Sequence, residues 1–112
     1  MPTGVLIALS NPVSADVEDD FNQWYTDVHS KEVLALPGVR SARRFRLAPS
    51  QVVPGDDAGH RYLALYEVET DDWAAFAAQF QQGFVDGRIT IDAELLELDP
   101  MVQTLLFEEL PG

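Results

Sequence analysis

Apolar residues near the start of the chain do not alternate with polar ones. In "TGVLIALS" (Thr3–Ser10), Val5, Ile7 and Leu9 fall on one strand parity and Leu6 and Ala8 on the other. That is the pattern of a strand covered on both faces, whereas a half-solvated strand would alternate. "NPVSAD" then breaks the strand, and Ser14 or Asp16 is placed to cap a helix. From Val17 the apolar positions recur at Phe21, Trp24 and Val28, spacings of 4, 3 and 4 that make one helical stripe. Asp16, Glu18, Asp19 and Asp20 crowd the first turns, where the helix dipole favours negative charge. The helix is expected to fade near Ser30, with a short turn in "KEVLAL" before the stop at Pro37-Gly38.

"VRSARRFRLA" (Val39–Ala48) reads as a strand, "PSQVVPGDDAG" as a long polar loop, and "HRYLALYEVE" (His60–Glu69) as the next strand. Thr70 is expected to cap a second helix whose stripe is Trp73, Phe76, Ala77, Phe80 and Phe84. "DGRITIDAELLELDP" reads as a short helix or a turn, and "MVQTLLFEEL" (Met101–Leu110) as the last strand. The order β-α-β-β-α-β, with right-handed crossovers, gives an α+β ferredoxin-like sandwich: an antiparallel sheet of four strands with two main helices on one face. Two helices cover one face only. Yet the first strand is apolar on both parities, and the last carries Met101, Leu105 and Phe107 on one and Val102 and Leu106 on the other. At about 25 cal/mol per Å² of apolar surface buried, the uncovered face is expected to close against a second copy in a homodimer. The alternative is a monomer with an apolar outer face.

With 112 residues, the chain is a single domain over 1–112. Its 46% hydrophobic and 10% aromatic content suits a globular core. The absence of cysteine removes disulfides, thiolate metal sites and cysteine nucleophiles together, and fits a reducing cytoplasm. The apolar run at the start is too short for a signal peptide and far short of the roughly 20 residues that span a bilayer. Seven Lys+Arg against 19 Asp+Glu leave a net charge of −12. Such a surface repels phosphate backbones and anionic lipid, so neither nucleic acid nor membrane is an expected partner.

Candidate chemistry centres on His29, one helical turn after Tyr25 and so on the same helix edge. Near a helix C-terminus the dipole would favour its charged form, placing it to titrate near neutral pH as a general acid/base. The plainer alternative is a histidine that only caps carbonyls. Trp24, Tyr25, Phe80, Phe84, Tyr62 and Tyr66 either line a small apolar pocket with hydroxyl handles or form ordinary core. The sheet face of Tyr62 and Tyr66 is open at this point. Arg40, Arg43, Arg44 and Arg46 make a basic cluster in an acidic chain. Arg43 shares the parity of Val39, Phe45 and Leu47 and so could point inward towards a carboxylate or enolate; the plainer reading of the cluster, and the one favoured, is cross-strand pairing with acidic neighbours such as Glu67 and Glu69. His60 is expected to be exposed. No glycine-rich phosphate loop, nucleophile elbow or HxxxH spacing occurs, so no metal site is expected and any catalysis is expected to need no cofactor.

The stretch "FNQWYTDVHSKEVLALPGVRSARRFRL" resembles the EthD-like branch of the dimeric α/β-barrel superfamily through Trp24, Tyr25, His29, Pro37, Gly38, Arg43, Arg44 and Phe45. The resemblance implies a homodimer whose two sheets close a barrel, with a pocket between helices and sheet in each monomer. It also implies His29 as acid/base, Tyr25 as the residue that orients it or the substrate, and Arg43 or Arg44 as the anion contact. Members of the superfamily include cyclases, isomerases, cofactor-free monooxygenases, decarboxylases and haem-degrading enzymes. Three function classes follow: an isomerase, cyclase or lyase acting on a small cyclic, aromatic or polyketide-like carbonyl compound; a non-catalytic binding module for a hydrophobic metabolite; and a cofactor-free oxygenase.

Overall fold

Strands β1 (Thr3–Ser10), β2 (Val39–Arg46), β3 (Tyr62–Glu69) and β4 (Gln103–Glu108) form one antiparallel sheet in the order β2-β3-β1-β4. This computed structural model describes residues 2–56, 59–99 and 102–112; Met101, assigned above to the last strand, lies outside them. The register sets the two faces apart. Leu6 sits between Tyr66 and Leu106, and Ala8 between Ala64 and Thr104, and this row of side chains turns towards the helices. Leu6, Ala8, Ser10, Tyr62, Ala64, Tyr66 and Val68 are all buried there. Tyr62 and Tyr66 therefore look at the helices, which resolves the face that strand parity alone left open.

On the other face Ile7 lies between Leu65 and Leu105, Val5 between Glu67 and Phe107, and Leu9 beside Leu63. Val5, Ile7, Leu9, Leu63 and Leu65 are half-buried by one another, while Phe45, Leu105 and Phe107 are exposed. No helix covers this face among the described residues, as the apolar pattern of β1 and β4 anticipates.

One helical run connects β1 to β2. A short 3₁₀ turn (Ala15–Val17) leads into α1 (Glu18–Trp24), a π turn (Tyr25–His29) and α2 (Ser30–Leu34). Tyr25 and Ser30, at the junctions, keep right-handed helical angles, so the helix continues past Ser30 instead of fading there. Its buried side is also displaced from the expected stripe. Phe21, Tyr25, His29, Val33 and Leu36 are buried, whereas Val28 is 42% exposed. Counting only apolar residues misplaced the stripe, because Tyr25 and His29 bury rings whose polar tips find partners inside.

Helix α3 (Trp73–Val85) crosses between β3 and β4. Its cap is Asp72, whose carboxylate accepts the Ala75 N–H at 3.0 Å; Thr70, the expected cap, instead accepts the Asp72 N–H with its hydroxyl. Phe76 is buried, and Trp73 and Phe80 pack against the core. Residues 86–99 form no helix. They wrap back across the helices in turns, held by Ile89 against Gly83 and by a bridge from Leu96 to Pro12. At Gly83 a Cβ would lie 2.8 Å from the Ile89 side chain, so the absence of a side chain there lets the segment dock.

Strand β2 carries an irregularity with functional weight. Val39 pairs with Val68 but Ser41 already pairs with Glu67, which leaves Arg40 as an extra residue in a bulge. Every later side chain changes face. Val39 points into the core, yet Arg44 and Ala42, opposite Ala64 and Tyr66, take over the helix-facing parity. Arg43 therefore points outward and not inward as uninterrupted alternation suggested. It lies 3.9 Å from Glu67 and over the Phe45 ring, and Arg40 pairs with Glu69 at 3.2 Å, the cross-strand pairings favoured for the cluster.

Candidate functional site

The π turn brings Tyr25 and His29 together beneath the sheet. Their rings meet edge to face at 4.8 Å, and Trp24 lies 5.1 Å from His29. Such turns occur frequently at functional sites. His29 is 6% exposed. Its Nδ1–H donates to the Thr90 carbonyl at 3.0 Å, which leaves Nε2 as the basic nitrogen of a neutral ring. Burial lowers its pKa below the usual imidazole range; the Thr90 hydrogen bond and the Glu32 carboxylate oppose this in part. Because the helix runs on to Leu34, His29 has no C-terminal dipole to favour its charged form, and desolvation sets its proton affinity instead.

Thr90 is itself pinned. Glu32, one helical turn beyond His29, accepts the Thr90 N–H at 2.9 Å and the Thr90 hydroxyl at 2.9 and 3.0 Å. The segment that supplies the histidine's acceptor is thus tied to the histidine's own helix.

A cavity of about 230 Å³ opens beside these residues, between the helical run, α3 and the sheet. His29, Tyr25, Tyr66 and Thr104 supply its polar groups, and Phe80 and Phe84 part of its apolar wall. Ile91, Leu96 and Leu98 close it from the 86–99 segment. Tyr25 and Tyr66 each influence the other's titration across the cavity wall, and Ser30 Oγ lies 3.5 Å from the Tyr66 hydroxyl. Burial drives both phenols above their ordinary range, Tyr25 with a further push from Tyr66 and a partial counter-effect from Arg44. Both are neutral hydrogen-bonding groups at neutral pH.

Other candidates fall outside the cavity wall. Arg44 stands behind Tyr25, its guanidinium 4.4 Å from that ring and 5.5–5.6 Å from those of Tyr62 and Phe21. Its Nη1 donates to the Asn22 carbonyl at 3.3 Å and the Thr26 hydroxyl at 3.1 Å, while Nε and Nη2 are buried without a hydrogen-bond acceptor. Facing aromatic rings is their compensation. Tyr62 donates to Glu18 and accepts from Asn22 Nδ2 at 3.1 Å, a link between sheet and α1 away from the cavity. Trp24 backs His29, and Arg43 is on the opposite face of the sheet. His60 is 7% exposed and thus buried, contrary to expectation; it lines a separate hollow with Leu9, Phe45 and Leu63.

Among the described residues, no three His, Asp or Glu side chains gather as a metal site requires, and no helix is long and apolar enough to cross a membrane.

No family model and no curated protein matches this sequence. Solved structures do match in three dimensions. HapK from Hahella chejuensis superposes with a TM-score of 0.60 at 19% identity, over 97% of this chain and 94% of that one. An EthD family protein from Bacillus halodurans gives 0.60 at 16% identity, over 98% and 100%. A DABB family protein with a ferredoxin-like fold from Mesorhizobium loti gives 0.56 at 18%, over 100% and 99%. The chain has this ferredoxin-like fold. Its likeness to an EthD family structure agrees with the resemblance carried by Trp24, Tyr25 and His29, and at these identities it speaks for architecture alone.

Sequence reasoning missed Thr90, Glu32 and the apolar trio of the 86–99 segment. The available signal was a run with Ile89, Ile91, Leu95, Leu96 and Leu98 and no regular period, which is a covering segment rather than a solvated loop.

Proposed function

We propose that the protein is a cofactor-independent acid/base enzyme for a small cyclic, aromatic or polyketide-like carbonyl compound, working as an isomerase, cyclase or lyase. The observation that carries this reading is His29: buried, fixed through Nδ1 to Thr90, and walling a largely apolar cavity with Nε2 as its basic nitrogen. In this mechanism Nε2 removes a proton next to the substrate carbonyl, and the resulting imidazolium returns it at the position that defines the product. A hydroxyl of Tyr25 or Tyr66 donates to the oxygen on which negative charge develops. Proton transfer of this kind supplies about 10²–10⁴-fold, sufficient for an activated substrate.

The exposed apolar face formed by Val5, Ile7, Leu9, Leu63, Leu65, Phe45, Leu105 and Phe107 supports a homodimer as the working assembly. Screening carbonyl compounds against wild type and His29→Ala tests the reading. Turnover that collapses by about 10²-fold or more in a folded variant supports acid/base catalysis. The apolar character of the walls equally suits a binding module, and retention of a ligand by both proteins with no conversion would select that function instead. Oxygen uptake coupled to turnover would select the oxygenase.

A further inference from the structure

Charge is what the cavity lacks. Tyr25, His29, Tyr66 and Thr104 are its polar side chains, the remaining walls are apolar, and no Lys, Arg, Asp or Glu lines it among the described residues. Arg44, the cation packed behind Tyr25, directs its guanidinium at three ring faces and donates to Asn22 and Thr26. Its charge is felt by Tyr25, Tyr66 and His29, but the guanidinium is turned to the rings, Asn22 and Thr26, so it presents no N–H group to the cavity. The net charge of −12 acts in the same direction from outside, because a strongly acidic surface lowers the local concentration of anions. A carboxylate entering such a site would give up its hydration with no cationic hydrogen-bond donor in the wall to replace it.

Size narrows the ligand further. A dry apolar cavity of about 150 Å³ accepts benzene, so the 230 Å³ found here suits one ring with a short substituent. Tyr25 and His29 meet the cavity from the π turn and Tyr66 from the sheet.

We infer that this cavity selects an uncharged single-ring compound bearing a carbonyl or hydroxyl oxygen, and rejects the carboxylate of the same ring. The inference rests on the proposed reading of the cavity as the substrate site and narrows it to a neutral substrate class. Acetophenone and benzoate are suitable probes, since they share a ring and differ in charge.

Isothermal titration of the full-length protein near neutral pH, with ¹⁵N-resolved shifts to locate the ligand, reads binding without turnover. Acetophenone is expected to bind at least about tenfold more tightly than benzoate. Filling the cavity with Leu98→Trp, or with Thr104→Leu if the first variant does not fold, is expected to abolish its binding. Benzoate binding as tightly as acetophenone overturns the inference. So does failure of both probes to bind, or acetophenone binding that survives the filled cavity. Because no reaction is measured, loss of this preference leaves the acid/base proposal to the His29→Ala assay, and failure of that assay leaves the charge preference standing.

Discussion

His29 gains its meaning from what surrounds it. Burial lowers its proton affinity in the folded chain, so below about pH 6.5 the unfolded chain takes up a proton that the folded one resists. The stabilising contribution is complete above that pH and is lost as the pH falls towards the depressed folded value. Urea denaturation across this window is expected to show wild type losing stability more steeply than His29→Gln; identical slopes would mean that the imidazole is not held neutral. Glu32 offers a second test at this scale. Glu32→Ala removes the acceptor of three hydrogen bonds to Thr90 and is expected to cost about 1–2 kcal/mol. It is also expected to speed amide exchange at Thr90 and lower the titration of His29 further, since Glu32 opposes the effect of burial. Unchanged exchange would count against Thr90 being tied to the helix. Tyr25 and His29 were visible in the sequence as neighbours one turn apart. Thr90 was not, because a carbonyl 61 residues away leaves no trace in local spacing.

At the scale of elements, periodicity recovered all four strands and the two helical regions, with boundaries shifted by a few residues. It failed where one residue broke the count. The π turn and the bulge at Arg40 each add a residue, and a parity argument carried through the bulge assigns Arg43 to the face that Arg44 holds. Side chains with apolar bodies and polar tips caused the other error, since Tyr25 and His29 bury where Val28 does not. The cap of α3 is open to a direct check. Asp72→Ala is expected to lower stability by about 1 kcal/mol in thermal or chemical unfolding, and Thr70→Ala by less, because only Asp72 reaches a free N–H of the helix's first turn. Equal effects would transfer the capping role to the turn as a whole.

For the whole molecule, the sheet's second face is the feature to test in solution. Leu105 stands on the edge strand beside Ile7 and is half exposed, so a charge there spares the core while spoiling an apolar contact. Sedimentation velocity at micromolar concentration is expected to find wild type as a dimer and Leu105→Glu shifted to monomer with its helical signal intact. A wild-type monomer at that concentration would refute the proposed assembly. The face itself was legible from β1 and β4, because two helices cannot cover two sides of a sheet. The cavity was less so: its lid comes from a segment without regular structure, where the arrangement of Ile91, Leu96 and Leu98 is set by tertiary packing.

The bulge at Arg40 makes the two sides of the molecule unusually easy to interchange. Deleting Arg40 would remove the bulge and leave Ser41 to Arg46 on their present faces, whereas pairing Arg40 regularly opposite Glu67 would turn the strand over beyond Val39. In that slipped register the Arg44 guanidinium would pass to the exposed apolar face of the sheet, opposite Leu63, and Arg43 would turn inward to its place opposite Ala64. A one-residue slip of this kind, with no change in composition, would be enough to alter both the outer face of the sheet and the packing behind Tyr25.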